Sequence, residues 1–114
     1  MLVDEPLYQV DVERRLDLLG DRLMNEVERF AVLTVERAEA ESDYKRRYHR
    51  ALLQQSAGTV AQREAMAQLK TADQFRSWKI VEAQEKATQQ ALIALRTQIE
   101  ATRTISANVR AAGG

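Results

Sequence analysis

Seven consecutive residues, Tyr44, Lys45, Arg46, Arg47, Tyr48, His49 and Arg50, hold the densest chemistry in this chain. Four fixed positive charges and two phenol rings fall within about two helical turns. Lysine and arginine neutralise phosphates, and tyrosine rings stack on unpaired bases, so the segment suits a single-stranded nucleic acid. The same residues also have a purely structural reading. Cations are favoured near a helix C-terminus, and two tyrosines four residues apart can pack into a core.

Other chemistries find little support. His49 is the sole histidine, has no evident partner acid, and without any cysteine cannot build a usual zinc site. There is no glycine-rich phosphate loop following a strand, and no serine–histidine–acid set. The expectation is a protein that is not an enzyme and needs no metal or cofactor. Phe75 and Trp78, three residues apart, read as core or interface residues, or as stacking residues if exposed.

A second basic signal lies further along. Arg96, Arg103 and Arg110 are spaced by seven, as are Lys79 and Lys86, which keeps each set on nearly one helix face. Leu92, Leu95, Ile99 and Val109 run beside them as an apolar seam for helix contact, the expected oligomerisation surface. The arginines could form a basic track. Pairing with acids of the same chain is the simpler reading, because the charges are sorted. Residues 1–43 carry 12 acidic and 5 basic side chains, residues 44–114 carry 5 acidic and 12 basic, and the formal net charge is zero.

The elements that must position these groups are helices. The 114 residues include one proline, four glycines and no cysteine, with 30% charged residues, the usage of long helices and coiled coils. Residues 1–10 form a leader containing Pro6, and Asp4 or Asp11 could cap the first helix. Leu16, Leu19, Leu23, Val27 and Phe30 then recur at three- and four-residue spacing, predicting an amphipathic helix over 11–56. Gly20 within it could permit a close helix crossing. The polar stretch 37–43 is expected to project from the core or be covered on assembly. Ser56, Ala57, Gly58 and Thr59 break the pattern, and Thr59 with Gln62 forms a capping-box signature. A helix over 60–111 follows, with a bend expected near Ala72 and Asp73. Ala83, Ala87, Ala91 and Ala94 along it allow close helix approach. The expected fold is all-α, a long antiparallel helical hairpin or coiled coil that oligomerises. No apolar run approaches a membrane span of about 20 residues. A soluble, cytoplasmic protein is expected.

The order of features resembles the small helical recombination mediators of tailed phages, the UvsY-like proteins. The resemblance rests on the acidic amphipathic helix leading into Tyr44 to Arg50, the Ser56–Thr59 turn, and a long helix with Thr71, Ala72, Asp73 and Trp78. That helix ends in Ala91, Leu92, Ile93, Ala94, Leu95 and Arg96, then Ala107, Asn108, Val109, Arg110 and Ala111. It covers about residues 20 to 112. It implies a homo-oligomeric ring that binds single-stranded DNA and helps load a RecA-like recombinase onto strands covered by single-strand-binding protein, inside a bacterial host. On that resemblance Lys45, Arg46, Arg47 and Arg50 would hold phosphates, and Tyr44 and Tyr48 would stack on bases. The acidic first half and zero net charge depart from it. The alternatives are a structural or adaptor coiled coil with protein partners only, or a phage factor that docks on and inhibits a host protein.

Overall fold

The structure, a computed structural model, describes residues 9–113. Three helices account for nearly all of them, in the order α1 Gln9–Gln54, α2 Val60–Lys70 and α3 Ala72–Gly113. No strand occurs among the described residues. None of the helices is long and apolar enough to cross a membrane. The expected cap Asp4 and most of the leader, including Pro6, lie outside the described residues. Asp11 sits inside the first turn of α1 rather than before it, where its charge complements the helix dipole.

The turn between α1 and α2 follows from local chemistry. Gly58 adopts φ +95°, a left-handed conformation that L side chains resist. The capping box then closes in both directions. The Gln62 amide donates to the Thr59 hydroxyl at 3.1 Å, and the Thr59 amide donates to the Gln62 side-chain oxygen at 2.9 Å.

The chain divides into two compact units. The first contains the described parts of Met1–Arg29 and Thr88–Gly114. Its seam is a regular three-and-four alternation. Val12, Leu16, Leu19, Leu23 and Glu26 come from α1, while Thr88, Leu92, Leu95, Ile99, Thr102, Ser106 and Val109 come from α3. The seam is thin in apolar volume, since Thr88, Thr102 and Ser106 are all buried. Their polarity is partly satisfied within the unit. Thr102 donates to the Gln98 carbonyl at 2.8 Å, and the Gln9 amide donates to the Ser106 hydroxyl at 3.3 Å.

Gly20 permits no close crossing, because a Cβ built there meets nothing within 4 Å. Leu92 and Ile99 are buried, and Leu95 and Val109 half-buried, in the seam of the unit itself. These four expected oligomerisation residues are therefore already engaged against α1. Leu92 and Ile99 keep little free surface, while Leu95 and Val109 keep part of theirs.

The second unit is Phe30–Ala87. Here the C-terminal half of α1 packs antiparallel against α2 and the start of α3. The α1 seam runs Phe30, Leu33, Arg37, Ala40, Tyr44, Tyr48 and Ala51, with two consecutive four-residue steps at Ala40, Tyr44 and Tyr48. The opposing seam has the same irregularity at Arg63, Ala67 and Thr71. Such a four-residue insertion in the heptad locally unwinds a coiled coil.

Thr71 also interrupts the expected continuous second helix, one residue before the anticipated bend. Its hydroxyl donates back to the Ala67 carbonyl at 2.7 Å, and its amide is shared between Ala67 and Gln68 at 3.2 and 3.3 Å. A threonine bonded back in this way slightly destabilises the helix around it. The ladder resumes at once, with the Phe75 amide donating to the Thr71 carbonyl at 3.0 Å.

The polar stretch expected to project does not. Arg37, Ala40, Glu41 and Asp43 are half-buried. Arg37 donates across the seam to Glu85 at 3.0 Å and along its own helix to Glu41 at 3.0 Å.

Candidate nucleic-acid interface

Residues 44–50 occupy the last turns of α1, and the hairpin sets them beside the start of α3. Tyr44 is the centre of a four-ring cluster. It stacks on Trp78 at 5.5 Å between centroids with 25° between planes, and meets Phe75 edge-on at 5.3 Å. Tyr48 lies 6.0 Å away, and Phe75 and Trp78 contact each other at 5.8 Å. Tyr44, Tyr48 and Trp78 are half-buried, and Phe75 is 43% exposed. The double four-residue step in the seam makes room for this cluster, because local unwinding turns successive bulky side chains toward the partner helix.

Cations flank the rings. The Lys79 ammonium lies 4.2 Å from the Trp78 ring centroid and 5.6 Å from that of Phe75, and Lys45 is 5.9 Å from Trp78. Lysine and arginine are dense at this end of the unit. Between residues 44 and 79 there are eight of them, against only Glu64 and Asp73.

Several of these cations already have carboxylate partners just outside that stretch. Lys45 bonds Glu41 at 2.7 Å, Arg46 and Arg47 bond Asp43 at 2.8 and 3.0 Å, and Lys79 bonds Glu82 at 3.2 Å. The Lys45 ammonium is the main cause holding the Glu41 carboxyl below its usual range, and Arg47 does the same for Asp43. Both carboxylates are therefore firmly ionised partners at neutral pH. Arg50, Lys70 and Arg76 are exposed and have no carboxylate within 4 Å among the described residues.

The six residues expected from the sequence thus separate by environment. Arg50 is open to an anion. Lys45, Arg46 and Arg47 would have to exchange carboxylates for phosphates. Tyr44 has one face against Trp78, and Tyr48 is partly open. Phe75, Trp78 and Lys79 belong to the same cluster and were not assigned to it from sequence. Aromatic pairs at four-residue spacing on α1 and three-residue spacing on α3 were the available signal, but it needs the inter-helix register.

The acidic and basic halves do not pair as expected. Of the ion pairs among the described residues, only Arg37–Glu85 crosses between helices, and it runs from a base of the acidic half to an acid of the basic half. Arg103 bonds Glu100 and Lys86 bonds Glu82, each on its own helix, while Arg96 and Arg110 have no carboxylate within 4 Å among the described residues.

Comparison with protein-family models, curated proteins and solved structures finds no match for this chain.

Proposed function

We propose that this chain is a single-stranded-DNA-binding accessory protein whose contact surface is the turn end of the second unit. One observation carries the reading. Lys45 and Lys79 flank an aromatic cluster that leaves Phe75 substantially exposed, within a stretch, residues 44–79, that carries eight lysines and arginines against two carboxylates. Positive charge that tracks a backbone, next to rings that accept any base, is how proteins bind single strands without reading sequence. The resemblance to phage recombination mediators extends this to a homo-oligomer that assists loading of a RecA-like recombinase on strands covered by single-strand-binding protein.

The test is anisotropy of a labelled strand of about 30 nucleotides across a salt series. Saturable binding that weakens steeply with salt, and falls when Arg46, Arg47 and Arg50 are changed together to Ala, supports the proposal. A folded protein that does not bind at low salt refutes it.

A second reading, an adaptor with protein partners only, is favoured by the carboxylates already bonded to Lys45, Arg46 and Arg47 and by the Tyr44–Trp78 stack. It expects no strand binding in the same assay.

A further inference from the structure

We infer that a groove along one side of the first unit docks an acidic amphipathic helix from a protein partner. The groove has a volume of about 580 Å³ and lies between the start of α1 and the later turns of α3. Its lips are apolar and uncovered, with Leu18 52% and Ile105 40% exposed, and its floor includes the buried Val12 and Leu19. Arg14, Arg15 and Arg22 rim it on the α1 side, and Asp11 is the one carboxylate among the described residues that lines it.

The arginines identify the partner's chemistry. Arg37, Lys45, Arg46, Arg47, Lys79, Lys86 and Arg103 bond acids three or four residues away on their own helix, while Lys70 and Arg76 near Asp73 and Arg96 near Glu100 do not among the described residues. The groove arginines belong to the second group, and they differ from it in rimming an apolar groove. Asp11 precedes Arg14 and Arg15 by three and four residues, and Glu26 follows Arg22 by four, yet none of these arginines has a carboxylate within 4 Å among the described residues. Arg15 and Arg22 are seven apart, and Arg29 continues the row. A partner helix with carboxylates at the same period meets each guanidinium, and its apolar stripe meets Leu18 and Ile105. From Asp11 to Arg22 the groove spans about 16 Å, three helical turns.

A nucleic acid suits this groove poorly. No aromatic ring lines it. The surrounding turns of α1 also carry Glu13, Asp17, Asp21 and Glu28, which repel a continuous polyanion but tolerate a helix that brings only a few carboxylates.

The probe is a fluorescein-labelled, amide-capped helical peptide of about fourteen residues, with leucines at three- and four-residue spacing and flanking glutamates. A companion peptide has lysine in place of each glutamate. The full chain should bind the glutamate peptide saturably. Arg15→Glu with Arg22→Glu should weaken that binding at least about tenfold and create affinity for the lysine peptide. Leu18→Ser should weaken it through the apolar lip alone. If the double reversal loses helicity, Arg15→Gln with Arg22→Gln supplies the same comparison.

Three results overturn the inference. One is a glutamate peptide that fails to bind, or that binds wild type and the charge variants equally. Another is sedimentation showing a homo-oligomer that Leu18→Ser dissociates, which assigns the groove to a second copy. The third is single-strand affinity that falls with the Arg15 and Arg22 reversals, which assigns it to nucleic acid.

Discussion

Neutralising Glu41 and Asp43 should strengthen single-strand binding, and the expected size follows from the ion pairs. Asp43 holds Arg46 and Arg47, and Glu41 holds Lys45. In Glu41→Gln with Asp43→Asn, three side chains lose their carboxylate partners and become available to phosphates. Each phosphate neutralised on a single strand contributes about 0.7 to the slope of log affinity against log salt. Three new contacts therefore steepen that slope by about 2. Arg37 keeps its bond to Glu85, so the crossing between α1 and α3 is retained. The assay is anisotropy with a labelled thymidine strand at several salt concentrations, with helicity followed by circular dichroism. A slope equal to that of wild type, in a variant of unchanged helicity, would refute the claim that these acids compete with phosphate for the basic segment.

Acid should reproduce that change in the wild type. Both carboxyls are held below their usual range by bonded cations, so the stability they contribute is complete above the ordinary carboxylate values and is lost as pH falls through the depressed ones. Thymidine-strand affinity should rise over that acidic window in the wild type and stay flat in the neutralised variant. Gly58→Ala should destabilise by about 2 kcal/mol in chemical denaturation, combining a left-handed alanine with disturbance of the cap. Its Cβ would lie 2.7 Å from the Gln62 side-chain oxygen. Gly20→Ala should stabilise by about 0.5–1 kcal/mol, since its Cβ meets open space inside a helix; a loss of stability would reveal a contact made by something outside the chain. Tyr44→Ala should cost about 2 kcal/mol by the same measurement, because one ring touches three others.

Local rules made part of this architecture readable in advance. Gly58, Thr59 and Gln62 define their turn within five residues, and no distant contact can overrule so complete a set of backbone partners. The apolar spacing in α1 and α3 likewise located helices, because the seam of the first unit keeps a regular heptad.

Long-range features were less legible. Arg37 looked like part of an exposed polar stretch, and only the register that sets it opposite Glu85 turns it into a seam residue. The overall sorting of charge suggested pairing between halves. Side chains three or four residues apart reach one another at little cost in order, so Glu41, Asp43, Glu82 and Glu100 bond cations of their own helix, and only Glu85 among the described acids pairs across. Phe75 and Trp78 joined the tyrosines for the same reason that Arg37 found Glu85. Which rings meet depends on the turn length and on the irregular step at Thr71, neither of which a single helix pattern contains.

Trp78 is the chain's only tryptophan, and its position gives the protein a built-in optical reporter. Its indole lies against Tyr44 and beneath the Lys79 ammonium, so its emission is sensitive to both stacking and local field. Displacement of Lys79 toward a phosphate, or a base seated on Phe75, would change the intensity or wavelength of a single chromophore without any label. A ligand confined to the groove of the first unit, which contains no tryptophan, would leave that signal unchanged. The intrinsic spectrum can therefore tell which of the two surfaces is occupied.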